Sequence, residues 1–120
     1  MKDARFAFAM DGLHYGIRDR QTGQFVCRKP LPWEPRSTED CGMIIRMRDS
    51  KTGHPLLVAA GLDHYGTLGA GEFLTRASLL EGALRQAPSG WQYKNLQILF
   101  RIEIVRDNVG TPNVAATYVW

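Results

Sequence analysis

The sequence predicts a single α/β domain: a twisted, mixed but largely antiparallel sheet of about six to seven strands, with one or two helices packed on a face. Three observations carry that expectation. Residues 94–105 place Leu96, Ile98, Phe100, Ile102 and Ile104 in strict alternation with Gln97, Leu99, Arg101, Glu103 and Val105, which is strand periodicity. Two short segments of matching turn grammar, Arg18-Asp19-Arg20-Gln21-Thr22-Gly23 and Arg48-Asp49-Ser50-Lys51-Thr52-Gly53, each separate two extended stretches. A helical pattern over residues 68–86 follows the most apolar strand.

The elements follow in order. Residues 5–10 alternate Phe6 and Phe8 with small residues, a first strand that ends at the Asp11-Gly12 turn. The two turn segments put Asp at the turn start and Gly where φ is expected to be positive, so they predict hairpins of residues 15–19 with 24–28, and of 42–48 with 54–60. Nothing else recurs at a fixed period, so the echo is turn chemistry and not a repeat architecture. Between the hairpins, Pro30, Pro32 and Pro35 around Trp33 remove ladder donors and predict a loop, with Trp33 covering the core edge or touching a partner. Residues 41–48 read as a strand with one more polar face. Residues 56–60, apolar on both faces, read as a central strand covered on both sides. The helical region divides in two, with Thr75 and Ser78 as cap residues, a capping box from Ser78 to Glu81, and an apolar stripe of Leu79, Leu80, Ala83 and Leu84. Pro88, Ser89 and Gly90 stop it. A turn over residues 108–112 leads to a last strand with Val114, Ala116, Tyr118 and Trp120 on one side.

Composition sets the broad class. With 120 residues, 44% hydrophobic and 22% charged, the chain is long enough for one core and unlike a disordered segment. The longest apolar run, residues 55–62, is too short to cross a bilayer, and the N-terminal stretch lacks a signal peptide's long apolar region. The expectation is a soluble chain in the cytoplasm, with no membrane contact of its own. A formal charge of +3 favours anionic ligands modestly, and the scattered basic residues form no block, so no nucleic-acid partner is expected. Cys27 and Cys41 are too few for a disulfide framework and have no metal-like spacing. They read as buried thiols, and no metal or cofactor is expected.

The most informative segment is residues 56–73, an apolar strand, a glycine-rich loop and a helix start. A helix start leaves backbone N–H groups free and carries the positive end of the helix dipole, which suits an anion. Glycine lets backbone approach a ligand closely. The expected ligand site is therefore His64, Tyr65, Gly66, Thr67 and Gly69, with Arg46 reaching in from the neighbouring strand. The competing explanation is structural: glycines for a tight turn and close helix–sheet packing, Thr67 as a cap, Tyr65 in the core. The segment is not the dinucleotide fingerprint and lacks the P-loop lysine. His64 as a base, with Asp63, Glu72 or Tyr65 near it, has no partner fixed by spacing, so no catalytic residue is assigned. Trp91-Gln92-Tyr93-Lys94-Asn95 forms either a surface loop whose Trp covers the helix end or the edge of a pocket. Arg46 and Arg48 read as solvated strand arginines or as groups within reach of an anion.

The run Gly61-Leu62-Asp63-His64-Tyr65-Gly66-Thr67, then Ala70-Gly71-Glu72-Phe73-Leu74-Thr75, Ala87-Pro88-Ser89-Gly90-Trp91, Lys94-Asn95-Leu96-Gln97 and the closing Val119-Trp120, resembles the C-terminal portion of a family of uncharacterised bacterial proteins. Some of that family are membrane-anchored or fused to regulators, which implies a sensory or regulatory module. The resemblance further implies that an upstream strand and an Asn-containing loop complete the unit. This chain would then be a shortened relative, or one whose missing half comes from a partner or a second copy.

Three functions follow. The first is a ligand-binding or sensing module for an anionic or nucleotide-like small molecule at the glycine-rich segment. The second is an interaction or self-assembly domain, with a homo-oligomer or a partner chain expected. The third is a hydrolase-like enzyme using His64.

Overall fold

The computed structural model describes residues 3–30, 39–48, 53–106 and 108–120. Trp33 and most of the second turn, residues 49–52, lie outside the described residues. The chain runs β1 (Phe6–Met10), β2 (His14–Asp19), β3 (Phe25–Pro30), β4 (Glu39–Met47), β5 (Leu56–Gly61), α1 (His64–Thr75), α2 (Ala77–Arg85), a 3₁₀ turn (Trp91–Tyr93), β6 (Leu96–Val105), β7 (Asn108–Val109) and β8 (Asn113–Val119). The class is α/β but strand-dominated, and every strand pairing is antiparallel.

The strands form two sheets where one was expected. β1, β2 and β3 make a three-stranded meander, while β5, β4, β6 and β8 lie side by side in a second sheet, with the short β7 folding back on the end of β6. The reason lies in β4 and β6, whose residues are buried on both faces and need cover on both. On one face Ile44, Ile98, Phe100 and Ile102 meet Ala70 and Phe73 of α1 and Ala83 of α2. On the other, Cys41, Met43, Ile45 and Leu99 meet Phe6, Ile17 and Cys27 of the meander. The result is three layers: helices, central sheet and meander.

Gln97 shows how the meander is docked. Its side chain is fully buried. Its Oε1 accepts the N–H groups of Arg5 and Phe6 at 3.0 and 2.9 Å, and its Nε2 donates to the Phe6 carbonyl at 2.7 Å. A buried amide must be satisfied, and here that need ties the start of β1 to the central sheet.

Four further expectations change. β5 is an edge strand and not a central one, with Leu56 and Leu57 exposed. Apolar residues on both faces do not by themselves make a strand central; β4 and β6 take that place because both of their faces are covered. α1 begins at His64, four residues before the expected start, so Gly66, Gly69 and Gly71 lie inside the helix. The division into two helices is as expected, but it falls at the extended Arg76, and neither Thr75 nor Ser78 caps. Finally, Cys27 and Cys41 are buried as expected but joined in a disulfide. Packing β3 over β4 brings their Cα atoms to 6.6 Å, within bridging range, although the residues are 14 apart in sequence.

Candidate functional site

The glycine-rich segment connects β5 to α1, and its Gly61, Gly66 and Gly69 serve close packing. A Cβ on Gly66 would lie 2.3 Å from the Cys41 carbonyl oxygen, and one on Gly69 would lie 2.1 Å from Ile102 Cδ1. Only glycine lets α1 lie this close to β4 and β6. The helix start also has an anion already: the Asp40 carboxylate, fully buried, accepts the Gly66 N–H at 2.6 Å. Thr67 does not cap the helix; its hydroxyl donates to the Asp63 carbonyl within the first turn.

Around Asp40 is a polar cluster that sequence reasoning missed. Lys29 Nζ lies 2.8 Å from Asp63 Oδ2 and 3.4 Å from Asp40 Oδ1, with its side chain only 8% exposed. The Tyr15 hydroxyl donates to both carboxylate oxygens of Asp63, at 2.9 and 3.1 Å. Burial, reinforced by the Asp63 carboxylate, pushes the Tyr15 hydroxyl above the usual phenol range and keeps it a donor. Two carboxyl groups face one ammonium here, so no positive charge is spare for an outside anion. The members come from β2, β3, β4 and the β5–α1 turn, a non-local set that no sequence spacing signals.

The expected site residues therefore fall in two places. His64 and Tyr65 stay together, ring edge to ring face at 5.5 Å, with His64 exposed. Gly66 and Gly69 are buried under the helix. Arg46 sits at the far end of β4, where it pairs with Leu57 and Leu96, whereas Gly61 pairs with Gly42. Its guanidinium donates to the carbonyls of Trp91 and Lys94 and stacks 5.3 Å from the Trp91 ring. Arg46 is thus a clamp on the loop that precedes β6.

That clamped loop forms one side of a concavity of about 320 Å³ lined by Arg48, Tyr93, Lys94, Asn95 and Trp120. Pro88 and Ser89 end the helical region, and Gly90 at φ 84° turns the chain into the 3₁₀ segment. Arg48, just past β4, is held twice: its N–H donates to Asn95 Oδ1 at 2.8 Å, and its Nη1 donates to the Tyr93 carbonyl at 2.7 Å. Trp120 is placed by paired backbone bonds with Asn95 at 3.0 and 3.2 Å, and its ring stacks on Tyr118. Two cationic side chains and two aromatic ones share this hollow, and among the described residues no acidic side chain lines it.

The chain matches no family model, no curated protein and no solved structure. Its chemistry must be read from its own side chains. Arg48 and Lys94 offer charge-assisted donors to an oxyanion, and Tyr93, which is 77% exposed, offers a ring face to a planar group. The sequence offers the loop of residues 91–95 as either a surface loop or a pocket edge, and Arg48 as either a solvated strand arginine or a group within reach of an anion. Sequence reading missed Trp120, which enters from the end of β8 and only meets the loop through the β6–β8 pairing. Among the described residues, no helix is long and apolar enough to cross a membrane.

Proposed function

We propose that this chain is a small-molecule binding module for an anionic ligand bearing a planar ring, of the nucleotide class, held in the hollow between the residue 91–95 loop and the end of β8. The observation that carries this reading is the meeting of Arg48 and Lys94 with Tyr93 and Trp120 around one concavity. The arginine and lysine take the oxyanion, the aromatic side chains take the ring, and Nδ2 of Asn95, whose Oδ1 is held by the Arg48 N–H, adds a polar contact for orientation. Arg46 contributes by holding the Trp91 and Lys94 carbonyls, so the loop is shaped before the ligand arrives. The same ligand class was expected from the sequence at the α1 start, but there Asp40 already takes the Gly66 N–H.

The test is a thermal-shift titration of the wild type with a nucleoside monophosphate, the matching nucleoside and inorganic phosphate. A ligand that binds only the folded state raises the melting temperature in a saturable way. The nucleotide should stabilise more than either fragment, and Lys94→Gln combined with Tyr93→Ala should abolish the shift. If no compound of the set stabilises the wild type, or the double variant responds as the wild type does, the reading is wrong.

A further inference from the structure

We infer that the outer edge of β5 is the interface through which two copies of this chain join into one continuous sheet; this inference is independent of the ligand reading. Among the described residues, no strand pairs with that edge. Its hydrogen-bonding groups can be assigned. Leu62 N donates to the Cys41 carbonyl at 2.9 Å, and the register continues as Met43↔Ala60 and Ile45↔Val58. In an antiparallel pair, alternate residues direct both backbone groups to the same neighbour. Val58, Ala60 and Leu62 therefore turn toward β4, and Leu57, Ala59 and Gly61 turn theirs outward.

Those three residues are self-complementary. A two-fold axis through Ala59 pairs Leu57 with the partner's Gly61, and Ala59 with the partner's Ala59, and each such pair exchanges two N–H···O bonds. The same register sets Val58 beside the partner's Ala60 and Leu56 beside the partner's Leu62. Every cross-strand pair is then apolar and no like charges meet, and each Leu57 lies beside the partner's Gly61, whose side-chain face is covered by the start of α1. Natural edge strands carry lysine, proline or a bulge as protection. β3 has Arg28, Lys29 and Pro30, whereas β5 has no charged residue and no proline.

The meander adds a second surface. Phe6, Phe8 and Met10 lie on one face of β1, and burial falls away along it: Phe6 is buried, Phe8 is 44% exposed and Met10 67% exposed. Phe8 and Met10 share a concavity with Gly61 and Leu62, so they overhang the end of β5. A strand added to β5 would slide beneath them. With Leu56 and Leu57 at 42% and 55% exposure, the apolar surface available from two copies is on the order of 1,000 Å², the lower bound for a specific interface.

Sedimentation equilibrium across a concentration series tests this, with hydrogen exchange on the same samples. A monomer–dimer equilibrium is expected, and at high concentration the amides of Leu57, Ala59 and Gly61 should become protected while those of the β4–β5 ladder stay unchanged. Leu57→Lys, at an exposed position, should weaken the dimer at least tenfold. Val105→Lys, on β6 and 62% exposed, should leave it intact. A wild type that stays monomeric at the highest concentration overturns the inference. So does a dimer in which the three outward amides exchange at their monomer rates. The exchange measurement needs no variant, so it decides the matter even where Leu57→Lys fails to fold.

Discussion

The Asp40 carboxylate of β4 accepts the Gly66 N–H of α1 at 2.6 Å, so the chain fills its own helix start with its own anion. The same carboxylate lies 3.4 Å from Lys29 Nζ and accepts the Cys41 N–H at 2.8 Å. Meander, central sheet and helix therefore share one buried acid. Removing Asp40 leaves Lys29 paired with Asp63 but leaves the buried Gly66 N–H without its acceptor, which costs about 1–3 kcal/mol. Asp40→Ala should lower the unfolding free energy by an amount in that range, measured by urea denaturation. Asp40→Asn retains an acceptor for Gly66 and should cost less. Equal losses for the two variants would mean that the charge, and not the hydrogen bond, is what matters.

Glycines of α1 should respond in opposite directions. At Gly66 an added Cβ meets backbone, the Cys41 carbonyl oxygen, which cannot rotate aside, so Gly66→Ala must push the helix off the sheet. A destabilisation of about 1–3 kcal/mol is expected, as for other overpacked core positions. At Gly71 an added Cβ finds nothing within 4 Å. There Gly71→Ala should stabilise by about 0.5–1 kcal/mol through helix propensity alone. Thermal melts of the two single variants check both signs. If Gly66→Ala is neutral, close packing is not why glycine stands there.

These glycines also mark where sequence reading succeeds and where it stops. Strand periodicity in residues 96–104 was legible because alternation is a local property, and so were the positive φ values of Gly23 and Gly53, both 77°. Which strand lies at the centre was not legible, since that depends on what covers each face; β5 looks more apolar than β4 yet sits at the edge. The α1 start was placed late because three glycines lower helix propensity, and only the contact with β4 and β6 compensates. In the candidate site, Tyr93, Lys94 and Asn95 stand together in sequence and were visible as a group. Trp120 and the Lys29–Asp40–Asp63 cluster come together only through strand pairing and layer packing, which no spacing encodes.

Reduction should reveal how strongly the disulfide holds the layers together. The Cys27–Cys41 bond joins β3 to β4 across a separation of 14 residues, and closing a loop of that size is worth about 3 kcal/mol in chain entropy. Urea denaturation with and without a thiol reductant should differ by about 2–4 kcal/mol. Cys27→Ala with Cys41→Ala, unfolded without reductant, should match the reduced wild type to within the small loss of sulfur packing. A thiol titration of the denatured protein fixes the reference: no free thiol before reduction, two after. No shift on reduction would show that the Lys29 cluster and the Gln97 clamp suffice to dock the meander.

Acid should weaken the meander through Asp19. Arg5 donates two hydrogen bonds to this carboxylate, from Nη2 at 2.8 Å and Nε at 3.1 Å, and the Gln21 N–H adds another at 2.9 Å. The Arg5 bonds are the main cause that holds the Asp19 carboxyl below its ordinary value of 3.8; burial opposes them, and the backbone N–H groups of Gln21 and Thr22 assist. A folded-state value below the unfolded one means that the unfolded chain binds the proton more readily, so stability rises with pH across the interval between the two. The contribution is fully present above about pH 4 and is lost as pH falls through the lower, folded value. Asp19→Asn should therefore be less stable than the wild type at pH 7, and the gap should close progressively below pH 4. Urea midpoints measured from pH 7 to pH 2.5 check the sign, and a gap that stays constant across that range would remove Asp19 from the acid response.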